Sequence, residues 1–199
     1  FLADGANSLV DLGALQQMLA TARLVTFEAR NSGTVWLPLL TGGPTVSVNL
    51  SSSGVMPVAQ MRRLNGFAVS GMGVDFPALT NLAGGDITVD AGAVVTATNF
   101  TSHSQSTGCF GNVWLVSGAG SVLDFSHLMT LNGAGCGALD VQAKAGGILI
   151  LSNLPTIVEG TVSFLADGAN SRVDLGALQQ SQAALRSLNF EARNSGTVW

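Results

Sequence analysis

A short pattern of apolar and polar residues recurs along the whole chain. An apolar, a polar and an apolar residue are followed by two further residues and then by leucine. The pattern is clearest in VDLGAL at 10–15, VDFPAL at 74–79, LDFSHL at 123–128, LILSNL at 149–154 and VDLGAL at 173–178. With looser matches included, its central residue is Leu12, Leu37, Phe76, Phe100, Phe125, Leu151 and Leu175. All but one of the intervals between these residues have nearly the same length.

The exceptional interval, from Leu37 to Phe76, is half as long again as the others. It holds either one coil with an insertion or two short coils, of which the second is anchored by the Val-Asn-Leu stretch at 48–50.

Each pattern is preceded by a turn that contains glycine or asparagine, and most turns by a short β-like stretch such as VTFEA or ITVDA. Alternating Val, Ile, Phe and Thr favour strands, and Gly or Asn accepts the positive φ of a sharp corner. A strand–corner–strand coil of about 24–26 residues therefore predicts an all-β chain built from stacked repeats. Because parallel crossovers are right-handed in nearly all proteins, we expect a right-handed parallel β-helix, or β-solenoid.

Two other structures fit parts of the pattern. The Leu-x-x-Leu spacing occurs in leucine-rich-repeat horseshoes, although the Leu-x-Leu-x-x-Asn continuation of that fold is missing here. The stretch LGALQQMLATARL at 12–24 has helical spacing, which allows a short helix at one corner.

A much longer repeat lies on top of the short one. Residues 1–36 and 164–199 align without a gap and are identical over FLADGANS, VDLGALQQ and FEARNSGTVW. Leu12 and Leu175 are equivalent in this alignment, so the long period is a whole number of coils. We therefore expect one solenoid segment over 1–199, with one period at 1–163 and the start of the next at 164–199. The predicted partners are further copies, in the same chain or end to end in a homopolymer.

Composition excludes some classes of function. The net charge is −4, and basic residues are sparse, which argues against nucleic-acid binding. Although 47% of residues are hydrophobic, polar residues interrupt every stretch that approaches the length needed for a membrane helix. We therefore expect no nucleic acid, no membrane insertion and no cofactor.

Polar residues directly before the central positions form one candidate site. In a solenoid they would stack as a row on an outer face, either binding Ca²⁺ or sugar or forming an ordinary solvated strand face. The row comprises Asp11, Asp75, Asn99, Asp124 and Asp174.

The two cysteines, Cys109 and Cys136, are separated by about one coil of sequence. Adjacent coils would bring them within disulfide range in an oxidising compartment, and two stacked thiols are the alternative. The two histidines, His103 and His127, have different offsets from their nearest central residues, which disfavours a stacked metal pair.

The alternating apolar strands, Gly/Asn/Ser corners and single lysine, Lys144, together resemble the β-helical stalks of large bacterial surface proteins. Filamentous haemagglutinin-like adhesins and autotransporter passenger domains are the families concerned. The resemblance is architectural and rests on no signature motif. It implies an extracellular or cell-surface location and a role in attachment or coating.

The predicted function is a structural repeat segment of an extracellular fibre, stalk or filament. One alternative is a surface adhesin that binds glycans, with Trp36, Trp114 and Trp199 as candidates for an exposed stripe. A second alternative is a polysaccharide lyase or hydrolase. Glycoside hydrolysis needs carboxylates paired across the scissile bond, and lyases commonly use Ca²⁺ and a basic residue. The acidic residues are spread one to a coil, so we expect no enzyme activity.

Overall fold

A computed structural model describes residues 1–18, 23–105, 109, 111–133 and 136–199. These residues form a parallel β-solenoid with strands on three faces, and none of them lies in a helix. The expectation of an all-β solenoid is therefore confirmed, and a helix is excluded at 12–18 and 23–24. The rest of that helical alternative, at 19–22, lies outside the described residues.

Face 1 is a continuous parallel sheet that runs the length of the solenoid. Its strands are β1 (Leu2–Asp4), β3 (Val25–Arg30), β5 (Val46–Ser51), β7 (Gly66–Ser70), β10 (Ile87–Asp90), β13 (Asn112–Ser117), β16 (Ala138–Lys144), β18 (Thr156–Asp167) and β20 (Gln180–Arg193).

Face 2 carries shorter strands and is divided into two sheets. One sheet is β2 (Leu9–Asp11) and β4 (Thr34–Trp36), and the other is β8 (Gly73–Asp75), β11 (Val94–Thr96), β14 (Val122–Asp124), β17 (Ile148–Ile150), β19 (Arg172–Asp174) and β21 (Thr197–Val198). The division falls at Pro57, which has no N–H to donate to a ladder. Val55 in the same coil still pairs with Thr34 through an isolated bridge.

Face 3 is built from β6 (Arg63–Leu64), β9 (Asn81–Leu82), β12 (Ser102–Ser104) and β15 (Thr130–Asn132), together with the first residues of β18 and β20. β18 and β20 continue from face 3 to face 1, and the β18–β20 pairing contains register shifts at that passage.

The bend after face 2 is a hydrogen-bonded turn that recurs from coil to coil. The N–H of the second apolar residue donates to the C=O of the first, with N···O distances from 2.8 to 3.3 Å. The first residues are Leu12, Leu37, Val58, Phe76, Ala97, Phe125, Leu151 and Leu175, and each second residue lies three positions later. The Leu-x-x-Leu pattern is therefore a turn whose two apolar ends both point into the core.

These turns correct two features of the coil assignment. The interval from Leu37 to Phe76 holds two short coils, and the extra bend begins at Val58, while Val48 lies on face 1. In the next coil the bend begins at Ala97, and Phe100 is its second residue. The coils therefore differ in length more than the sequence pattern indicates. The shortest runs from Val58 to Phe76, and the longest from Ala97 to Phe125.

Inward-facing side chains form columns along the solenoid. One face 1 column, read from the strand register, is Phe1, Phe27, Val48, Phe67, Ile87, Trp114, Val141, Phe164 and Phe190. From Phe27 to Phe164 its members are at most 3% exposed. No strand this short could bury its apolar side alone, so the coils depend on one another for a core.

Glycine is required at four of the corners between face 1 and face 2, whereas Ser or Ala takes the equivalent place in other coils. A Cβ on Gly147 would lie 2.4 Å from the carbonyl oxygen of Val116 in the preceding coil. Gly33, Gly54 and Gly196 occupy the equivalent corner and make the same approach. At other corners the predicted reason, positive φ, holds for Gly5, Gly71, Gly118 and Gly168. The corner glycines therefore have two physical causes, positive φ and close backbone approach.

We predict that Gly147→Ala lowers the free energy of unfolding by about 1–3 kcal/mol, because the new methyl group pushes two stacked coils apart. Gly73→Ala is the matched control, since its Cβ would have 4.0 Å to the nearest atom, the carbonyl oxygen of Val94. Urea denaturation monitored by circular dichroism measures the free energy of unfolding of both variants. Equal stability of the two variants would contradict the close-approach explanation.

Candidate functional site

The acidic row lies on face 2, with one change of membership. Strand register places Asp75, Thr96, Asp124, Ile150 and Asp174 side by side. Asn99 is not in this row, because the bend of its coil begins at Ala97 and puts Thr96 in the outward position. Asp11 pairs with Trp36 in the separate two-stranded sheet.

Three of these carboxylates are occupied in holding the bend that follows them. Oδ1 of each accepts a hydrogen bond from the backbone N–H two residues later: Asp11 from Gly13 at 2.9 Å, Asp124 from Ser126 at 2.8 Å and Asp174 from Gly176 at 3.1 Å. This is the Asx-turn geometry, which favours Asp at the start of a tight turn. A local backbone role therefore accounts for these aspartates in VDLG and LDFS.

Asp75 is the exception, and the reason is chemical. The residue two positions later is Pro77, which has no N–H. Asp75 Oδ1 accepts instead from the Thr96 hydroxyl in the next coil at 2.5 Å.

Asp174 has a second partner, the Arg172 guanidinium at 3.0 Å, and Arg172 in turn lies 5.5 Å from the centre of the Trp199 ring. Across the described part of the chain, no three His, Cys, Asp or Glu side chains are grouped to hold a metal ion. The hydrogen bonds of the row go to the backbone of the bends and to neighbouring side chains.

The predicted stripe of three exposed tryptophans does not form. Trp114 is fully buried in the face 1 column, whereas Trp36 is 47% and Trp199 69% exposed. Trp36 and Trp199 are equivalent positions in the two copies of the long repeat.

A buried histidine is the main feature that sequence reasoning missed. His103 lies on face 3 beside Leu131, at a position that four other coils fill with Leu or Ile, and is 3% exposed. Its ring centroid is 4.9 Å from that of Trp114 and 6.0 Å from that of Phe100. Burial lowers the pKa of His103 to about 4, and its hydrogen bond with Gln105 opposes that shift. The ring is therefore neutral at physiological pH.

A polar chain connects this histidine to the surface of face 1. His103 Nε2 and Gln105 Oε1 are 3.2 Å apart, and the Gln105 amide donates to Oδ1 of Asn112. The Asn112 amide reaches Asp86 Oδ1 at 3.4 Å, and the same oxygen accepts from the Val113 N–H at 2.9 Å. No repeated motif marked these residues, because each occurs in one coil only.

Cys109 and Cys136 form a disulfide that links successive coils, and their Cα atoms are 4.7 Å apart. The bend positions in the structure explain why the two cysteines meet. Each cysteine follows the first bend residue of its coil, Ala97 or Phe125, by nearly the same number of residues. The bridge thus joins the long returns of two neighbouring coils.

No family model, curated protein or solved structure matches this chain at a significant level. Within the described residues, no helix is long and apolar enough to cross a membrane.

We predict that stability falls as the pH is lowered from about 6.5 to 4 because of His103. Between these pH values the His103 side chain binds a proton in the unfolded chain but not in the folded chain. The free energy of unfolding therefore falls by about 3 kcal/mol in total. The variant His103→Leu, which matches Leu131 in the adjacent coil, should lose most of this pH dependence. His127→Leu removes an exposed histidine and should keep it. Urea denaturation at pH 7 and pH 4 measures the change, and an equal loss in wild type and His103→Leu would refute the assignment.

We also predict that removal of the disulfide, which closes a loop with a sequence separation of 27, destabilises the fold. The chain entropy of such a loop corresponds to about 3.5 kcal/mol of unfolding free energy. The double variant Cys109→Ser/Cys136→Ser, compared with the wild type with and without reductant, measures this. Equal stability of the double variant and the oxidised wild type would contradict the prediction.

Proposed function

We propose that this chain is a structural segment of an extracellular or cell-surface fibre or stalk, in which copies of the unit at 1–163 stack end to end along one axis. The proposal assigns the protein a mechanical role and no catalytic one. Its partners are further copies of the same unit.

The observation that carries the proposal is the agreement between the long repeat and the turn of the solenoid. Seven register steps along face 1 lead from Ala3 to Ala166, its counterpart in the second copy. Face 2 gives the same result: seven steps separate Thr34 from Thr197, counting the step from Val55 to Gly73 across the sheet division. A repeat that is a whole number of turns lets each copy begin in register with the one before it.

The junction between the two copies supports this continuity. Strand β16, near the end of the first period, pairs with the start of the second copy, including Val141 with Phe164. The Gly146 N–H donates to Ser171 Oγ at 2.9 Å, and Ser171 Oγ donates to the Asp167 carbonyl at 2.7 Å. These contacts resemble those between coils inside one period, where the Ser121 hydroxyl bonds the Gly92 N–H and the Ser117 carbonyl in the same way.

Two further observations favour an extracellular fibre. The disulfide is typical of oxidising compartments outside the cytosol. Only 10% of the residues are charged, so a long stack accumulates little electrostatic self-repulsion.

Electron microscopy of the full-length native protein tests the proposal. We expect rods with an axial repeat of about 34 Å, which is seven rungs at about 4.8 Å each. The repeat arises because corner and loop lengths differ between coils and recur once per period. Compact particles, or rods that lack this axial repeat, would contradict the fibre proposal.

A further inference from the structure

The outer surface of face 1 contains a polar trough that runs along β7. The outward residues of β7 are Ala68 and Ser70, whereas the longer polar side chains of Asn49 on β5 and of Thr88 and Asp90 on β10 flank it. Two adjoining cavities of about 400 and 180 Å³ share Asn49, Ala68 and Thr88 and together make up this trough. The larger cavity is within the size range of ligand sites in proteins.

Close backbone packing keeps the floor of the trough low. A Cβ on Gly66 would lie 2.2 Å from the Asp86 carbonyl oxygen, and one on Gly85 would lie 2.2 Å from Asn65 Nδ2. The floor therefore consists of backbone and the Ala68 methyl group, and no larger side chain fits at the two glycines. Glycine and alanine thus build the depression into the fold.

The walls offer neutral hydrogen-bonding groups and carboxylates. Amides, hydroxyls and carboxylates all line the two cavities, and neither cavity is lined by lysine or arginine. A ligand that fits these walls carries many hydroxyl groups and no negative charge. The amides belong to Asn49, Asn65 and Asn112, and the carboxylates to Glu28, Asp86 and Asp90.

Part of the wall is held in place before any ligand arrives. Asp86 and Asn112 belong to the polar chain that ends at the buried His103, so their positions are fixed by hydrogen bonds on the protein side. Asp90 Oδ1 is shielded from solvent, and it has no hydrogen-bond partner among the described residues. A fixed wall lowers the entropy that binding must overcome.

An extended peptide is a poorer fit to the same surface. Strand β7 is already paired on both sides, with β5 and β10, so it has no free edge for strand addition. Recognition there has to come from side chains, and the walls carry amides, hydroxyls and carboxylates beside apolar groups such as Leu24. Sugar hydroxyls satisfy both conditions, because amides and carboxylates donate to or accept from them directly.

We propose that the β7 trough is a binding site for a neutral oligosaccharide. The site does not depend on the fibre, since all of its lining residues lie between Leu24 and Asn112 of a single copy. If microscopy shows no fibre, the oligosaccharide site can still exist. If no oligosaccharide binds, the fibre proposal is unaffected.

Titration calorimetry with neutral malto-, cello- and chito-oligosaccharides tests the site, with oligogalacturonate as the anionic comparison and an unstructured neutral peptide as the non-sugar comparison. Ala68→Gln fills the floor from an outward strand position, and Thr88→Val removes one wall hydroxyl while keeping the shape of the side chain. Thr130→Val, on the outer side of face 3, is the matched control. Circular dichroism and the thermal midpoint verify that each variant is folded.

The expected result is binding of at least one neutral oligosaccharide. Thr88→Val should weaken it up to about tenfold, the value of one hydrogen bond, Ala68→Gln should weaken it more, and Thr130→Val should leave it unchanged. If Ala68→Gln does not fold, Thr88→Val alone decides. The proposal is overturned if no neutral oligosaccharide binds at millimolar concentration, if Thr88→Val binds as tightly as Thr130→Val, or if oligogalacturonate or the peptide binds better.

Discussion

Parallel pairing of each coil with the next is the interaction on which the whole molecule depends. Face 1 alone is one continuous ladder from β1 to β20, and each pairing keeps inward residues above inward residues. The backbone hydrogen bonds satisfy the polar groups that burial would otherwise leave unpaired, and the columns of Phe, Val, Leu and Ala exclude water. Neither contribution is available to one coil alone, which explains why the repeat is both the sequence pattern and the source of stability.

The same constraint explains which parts of a coil vary. The two apolar ends of each bend pack in the columns, whereas the return from face 3 to face 1 varies in length, so short and long coils stack side by side. In one coil a small residue at the first bend position is accompanied by a large one at the second. Ala97 occupies a place that is Phe or Leu in most other coils, and Phe100, three positions on, packs against Phe125 with ring centroids 4.7 Å apart.

The fold was predictable from sequence because its signal is repeated, and the local details were not, because each occurs once. Several good copies of the bend pattern indicated stacked coils, while the single Ala97 coil misled the alignment, since alanine looks less like a core residue than Phe100 does. That shift put Asn99 in the acidic row in place of Thr96. The aspartates were visible, but their Asx bonds depend on a backbone turn that spacing alone does not show. His103 was visible only as a polar residue, and its burial follows from the register of face 3.

Equivalent residues in the two copies of the long repeat lie seven rungs apart along the solenoid. Spin labels on Thr34→Cys and Thr197→Cys, which occupy the same place on face 2, allow pulsed electron paramagnetic resonance to measure this distance. Stacked rungs predict one narrow distribution of distances centred at about 34 Å. A short distance, or a broad spread of distances, would mean that the coils do not follow one axis, and the solenoid account would be wrong.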